Sequence, residues 1–205
     1  IHISVFKGEN KMSTSIRQGK LIYHQTKLDN LESIVKYGLK SRINLKQENV
    51  EFQDVADSQI LEGRSKNGLD NYVPFHFHPR TAFDYKIRSN NPNSPFIFLC
   101  MYRDIAAKNG AIILPAHPLS NIKPQVYPYN EGINIIDWDT MDKNQNDVGY
   151  NSNVRMAECL LKDEVKIQLI SMIFANNEND KNKVHDILDK YKIHNIKVII
   201  NSTFF

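Results

Sequence analysis

Residues 95–102 read PFIFLCMY, an apolar run without a single charged or amide side chain. Side chains along a β-strand point alternately to opposite faces, so a strand apolar at every position must be covered on both sides. The run predicts a fully buried strand, and the rest of the chain has to supply both covers. The other strand-like segments are LIYHQT (21–26), YVPFHFH (72–78), AIILP (111–115), VKIQLISMIFA (165–175) and IKVII (196–200). Pro74 argues that its strand lies at an edge or carries a bulge, because proline donates no ladder hydrogen bond.

Two segments carry helical periodicity. In TKLDNLESIVKYGLKS, Leu28, Leu31, Ile34 and Val35 mark one buried face. Thr26 and Asp29 read as a capping box, and Gly38 as the stop. NDKNKVHDILDKY (179–191) is amphipathic through Val184, Ile187, Leu188 and Tyr191. Residues 40–66 are polar and weakly periodic. Residues 116–153 read as one long irregular segment, which in a compact domain is functional or mobile. The strands do not alternate regularly with helices. The expected fold class is therefore α+β, with mixed or antiparallel sheets and a few flanking helices.

At 205 residues, 41% hydrophobic and 24% charged, the chain can bury one core. We expect a single domain over residues 20–205 and an N-terminal extension over 1–19. The opening IHISVFKGENKM lacks the apolar centre of a signal peptide, and no apolar run approaches the length of a membrane span. The net charge of +3 permits an anionic partner without demanding one. Cys100 and Cys159 both sit among apolar residues. They read as core thiols suited to a reducing cytoplasm.

Candidate chemistry is sparse. His76 and His78, two apart on a strand, could be half a metal site, yet no further ligand stands at a useful spacing, and no metal is expected. No phosphate-cradling glycine motif is present. His24 ends a strand before a helix, where a ribose or an anion can bind; it reads equally as a core histidine bonded to backbone. Arg64 and Arg80 lie near turns and are either solvated or binders of phosphate or carboxylate. Tyr72, Phe75 and Phe83 could stack on a flat ring or fill the core. Glu158, in NSNVRMAECLL, has three readings: an ion pair with Arg155, an exposed side chain, or a functional carboxylate at a cleft.

Five segments, taken in order, resemble the DarT family of toxins, which attach ADP-ribose from NAD to DNA. They are YHQTKLDNLESIVKYGLKS, QILEGRSKNGLDNYVPFHFHPRTAFDY, INIIDWD, RMAECLLKDEVKIQLISMIFA and KVIINSTFF. The likeness spans about residues 20–205. Against the family pattern, His76 replaces a tyrosine, Phe83 a common methionine and Cys159 a phenylalanine, and the ending is TFF.

The resemblance implies an ADP-ribosyltransferase fold, two small packed sheets with NAD in the cleft between them. NAD would be a co-substrate, with no metal. Glu158 would stabilise the positive charge that develops on the ribose as nicotinamide leaves. His24, Thr26, Leu39, Tyr72 and Phe83 would hold NAD. Arg64, on the family's arginine-bearing helix, would act at the acceptor base, and Arg80, Asn153 and Arg155 would meet the DNA. A base inside a duplex is shielded, which makes single-stranded DNA the natural acceptor. Thymine and guanine both remain open as the target. The implied partner is a macrodomain-type or related hydrolase antitoxin, the implied state a monomer in the cytoplasm. Two other readings stand beside this one: transfer to RNA or protein, and a non-catalytic single-strand-binding module.

Overall fold

The computed structural model describes residues 15–50, 52–53, 58–117 and 125–205. The expected extension as far as residue 14, and residues 118–124 of the long loop, lie outside the described residues.

β1 (Leu21–Lys27) and β4 (Phe96–Tyr102) pair antiparallel along their whole length, from Leu21 against Tyr102 to Lys27 against Phe96. β9 (Met172–Ala175) lies on the other side of β4. The unbroken apolar run thus becomes an interior strand with two covers. Ile97, Leu99 and Met101 enter the main core with Ile22, Phe75 and Phe77. Phe98 and Cys100 face a smaller cluster closed by Phe174, Phe204 and Phe205.

The large sheet has eight strands in the order β10-β9-β4-β1-β3-β7-β5-β6. Its further members are β3 (Tyr72–His76), β5 (Ile112–Leu114), β6 (Tyr127–Pro128), β7 (Glu158–Lys162) and β10 (Lys197–Ile200). The pairings are antiparallel except β9 with β10, which are parallel and joined through helix α9 (Glu178–Lys190). β2 (Leu39–Lys40) and β8 (Glu164–Val165) form a separate two-stranded sheet. The mixed α+β class is the one expected.

The large sheet is almost two sheets. β1 and β3 touch in register only at Tyr23 and His76. On its other side β3 runs in full ladder with β7, from Tyr72 against Lys162 to His76 against Glu158. Pro74 is therefore on neither an edge nor a bulge. It lies on an interior strand at a seam, where the missing N–H costs little because the β1 ladder has already parted.

Three further expectations are corrected. Thr26 does not cap a helix: it belongs to β1, whose pairing with β4 outcompetes the cap. A single tight turn, Leu28–Asn30, then leads into α1 (Leu31–Tyr37) with no side-chain cap. The helix's buried face, Leu31, Ile34 and Val35, and its stop at Gly38 (φ 81°) are as read. The polar stretch 40–66 contains α2 (Arg42–Gln47), capped by Ser41, which no periodicity announced, and α3 (Ser58–Lys66), the arginine-bearing helix that the resemblance implied. The irregular stretch 116–153 contains α6 (Tyr129–Ile135), α7 (Trp138–Asp142) and the start of α8 (Ser152–Arg155). These helices run seven residues or fewer, too short for periodicity to register.

Two more helices complete the fold, α4 (Ala82–Asn90) and α5 (Arg103–Lys108). Residues just before the expected domain start are tied to it: Ser15 Oγ and the Ile16 amide both donate to the Asp142 carboxylate, at 2.5 and 2.7 Å. Cys100 and Cys159 are fully buried thiols. Among the described residues no helix is long and apolar enough to cross a membrane.

Candidate active site

The parting of β1 from β3 opens a cleft, with about 1160 Å³ of empty space counting its mouth. β1 contributes His24 and Thr26, β3 contributes Tyr72, Pro74 and His76, and α4 contributes Phe83. The segment around β2 and α2 adds Leu39, Lys40 and Arg42, while Arg64 comes from α3 and Glu158 from the first position of β7.

His24 closes the seam where the backbone does not. Its Nδ1 lies 2.8 Å from the Pro74 carbonyl oxygen. That oxygen can only accept, so Nδ1 carries the hydrogen. Burial pushes the imidazole pKa down to about 4. At neutral pH His24 is uncharged, and its Nε2 lone pair is left as an acceptor. Thr26 Oγ1 accepts from Asn30 Nδ2 at 3.2 Å, and Asn30 Oδ1 accepts from the Gln53 amide at 2.9 Å. A chain of side chains thereby holds residue 53 over the cleft.

Glu158 is 4% exposed and Arg64 6%. Arg64 Nη1 donates to both carboxylate oxygens, at 2.8 and 2.7 Å, and Nη2 to the Leu69 carbonyl at 3.3 Å. The acid among apolar residues thus has a partner, and it is not Arg155. Arg155 instead sets its guanidinium against His78 Nε2 and over the Tyr150 ring, 5.7 Å from the centroid. Burial and the Arg155 and Arg80 charges hold the His78 pKa down at about 3. His78 Nδ1 accepts from the Arg80 amide at 2.9 Å.

Of the residues singled out in the sequence, the cleft gathers Glu158, Arg64, His24, Thr26, Leu39, Tyr72 and Phe83. Arg80, Asn153 and Arg155 are not among those lining it; Arg80 and Asn153 are exposed. His76 and His78 do not share a site, because β3 ends at His76 and the alternation ends with it. Among the described residues no three His, Cys, Asp or Glu are grouped to hold a metal.

The sequence reading missed Asn30, His76 and His117 as cleft residues. Burial lowers the pKa of His117, against the opposing pull of Glu158. Its amide donates to the Asn153 carbonyl of α8 at 2.9 Å, a contact between segments distant in sequence that no local pattern announces.

The model of the family described as DarT, ssDNA thymidine ADP-ribosyltransferase, matches residues 23–205. The chain belongs to the DarT family. The resemblance seen in its five motifs is thereby established. A DNA ADP-ribosyl transferase–DNA ADP-ribosyl glycohydrolase fusion protein of Thermosipho africanus (strain H17ap60334) is 23% identical over 193 residues. That match covers 90% of this chain and 49% of the relative, so the chain spans about half the length of the curated relative it matches. Thermus sp. 2.9 DarT in complex with ADP-ribosylated ssDNA superposes with a TM-score of 0.77 at 23% identity, covering 91% of this chain and 96% of that one. The same Thermus protein in complex with NAD+ gives a TM-score of 0.74 at 19% identity, covering 92% and 98%. The DarT fold is the fold of this chain.

Proposed function

We propose that this chain transfers ADP-ribose from NAD+ to a thymidine base in single-stranded DNA and releases nicotinamide. The observation that carries the reading is the buried Glu158 carboxylate, held by Arg64 at the floor of a cleft in a chain of the DarT family. The Thermus relative was described in complexes with NAD+ and with ADP-ribosylated ssDNA, which supports both substrates.

In the reaction the bond between ribose C1′ and the nicotinamide nitrogen breaks, and its electron pair leaves with neutral nicotinamide. A ring nitrogen of the base then bonds to C1′, and its proton passes to solvent water. Positive charge peaks on the ribose between these events. A carboxylate fixed in a water-poor site stabilises that charge without having to reorganise. Glu158 takes this role. His24 Nε2 accepts from a ribose hydroxyl or the nicotinamide amide, and Thr26 stands beside it. Leu39, Tyr72 and Phe83 pack on the nucleotide. Arginine keeps its proton, so Arg64 serves as an electrostatic partner, positioning Glu158 and stabilising the base as it loses its proton. Exposed Arg80 and Asn153, with half-buried Arg155, meet the strand.

The chain acts as a monomer in the cytoplasm, and a glycohydrolase that removes the mark is its antitoxin. The activity fused to the Thermosipho relative supports that pairing.

The test is to incubate the chain with labelled NAD+ and single-stranded DNA, RNA or protein, beside Glu158→Ala. Label should enter only the DNA, vanish in the variant and map to thymidine by mass spectrometry. Label on RNA or protein would move the acceptor. Binding of DNA without any transfer would leave a strand-binding module.

A further inference from the structure

His76 is 7% exposed, and its Nδ1 is buried with no hydrogen-bond partner. A buried polar atom left unpaired costs about 1–3 kcal/mol. Among the described residues its ring makes one aromatic contact, with Phe83 at 6.4 Å between centroids and 49° between planes. The ring also lines the cleft.

His76 is the direct cross-strand partner of Glu158. Side chains at such positions rise from the same face with Cβ atoms about 4.5–5.5 Å apart. If Glu158 serves the ribose carbon that loses nicotinamide, the substituent on that carbon lies within reach of His76. Phe83, beside it, offers an apolar face for a flat ring. A carboxamide presents both an N–H and a carbonyl oxygen, so an imidazole in either tautomer finds a complementary group.

The geometry points to His76 as a binding residue for the nicotinamide end of NAD+, forming a hydrogen bond with its carboxamide. This rests on the transfer reading above.

The experiment compares wild type with H76F, H76N and H76Q. It measures inhibition by free nicotinamide, KM for NAD+, and calorimetric affinity for ADP-ribose, which lacks the nicotinamide. In H76F the nicotinamide inhibition constant and KM for NAD+ should rise at least about fivefold, the loss of one hydrogen bond. ADP-ribose affinity should stay unchanged. H76N keeps a polar atom near the Nδ1 position and should restore most of the loss, whereas H76Q should not. This contrast also decides the matter should H76F not fold. Unchanged nicotinamide inhibition in H76F or H76Q would overturn the assignment, as would a parallel loss of ADP-ribose affinity, the mark of a structural role. An effect on KM for the oligonucleotide alone would assign His76 to the acceptor and overturn it too. If the wild type transfers nothing, the transfer reading fails, and calorimetric titration of nicotinamide into wild type and H76F then decides the contact: weaker binding in H76F sustains it and equal binding overturns it.

Discussion

Arg64 and Glu158 stand 94 residues apart in the chain, and in the fold one guanidinium nitrogen bonds both oxygens of the carboxylate. The pair is almost wholly shielded from water. Its members depend on each other, because the desolvation of each charge is offset by its partner and, for Arg64, also by the Leu69 carbonyl.

Removing one member should therefore cost more than removing both. We predict that Arg64→Ala lowers folding stability by about 3–5 kcal/mol, leaving a buried carboxylate alone. The double variant Arg64→Ala/Glu158→Ala should recover a large part of that loss. Urea denaturation of the four proteins of the cycle measures the coupling; strictly additive losses would mean that the pair contributes nothing as a pair.

Glu158→Gln separates chemistry from folding. Glutamine keeps one oxygen for Arg64 and loses the charge that opposes the ribose cation. Transfer should fall by about 10²–10³-fold, with a much smaller change in melting temperature than in Arg64→Ala. Single-turnover kinetics with radiolabelled NAD+ would reveal a surviving rate if the charge were dispensable.

His24 predicts how stability responds to acid. Its folded pKa is about 4 against an ordinary 6.5, so between those values the unfolded chain takes up a proton that the folded chain refuses. Its contribution is fully present above pH 6.5 and is lost as pH falls from 6.5 toward 4. The loss should be on the order of 1–3 kcal/mol. His78 is depressed further, to about 3, and adds a loss of the same sign. His24→Asn, whose amide can still donate to Pro74, should flatten the His24 part of the slope. Imidazole NMR titration should find His24 neutral at pH 5.5; a midpoint near 6.5 would contradict the buried seam contact.

At Gly132 a Cβ would fall 2.4 Å from Ile113 Cβ, so α6 lies against β5 closer than any side chain allows. Gly132→Ala should cost about 1–3 kcal/mol, and because the nearest atom is the Ile113 Cβ, which alanine keeps, Gly132→Ala/Ile113→Ala should not recover it. Thermal melts of both variants decide this; an unaltered single variant would mean that the helix shifts freely.

What the sequence made legible follows from locality. PFIFLCMY announced a doubly covered strand because alternation is a property of neighbouring residues. The face through Leu31, Ile34 and Val35 was readable for the same reason. Thr26 was misread because the T-x-x-D spacing is local, while the ladder to Ile97 that claims the residue is not. The pattern T-x-x-D does form a capping box at Thr81 and Asp84, where no strand competes. The motifs that carried the resemblance brought Glu158, Arg64 and His24 to one cleft. The partnership of Arg64 with Glu158 was hidden, since Arg155, three residues away, was the nearer candidate by spacing. His76 drew notice as half of a metal pair and as a departure from the family's tyrosine; its orphaned nitrogen exists only in three dimensions.

The single bridge between Tyr23 and His76 has a mechanical meaning. A sheet joined by full ladders throughout is one plate, whereas this one is two ladders that meet at one rung. That bridge and the His24–Pro74 bond join the two ladders, while Ile22, Phe75 and Phe77 join them again by packing in one core. The cleft thus lies where the fewest backbone rungs tie neighbouring strands together.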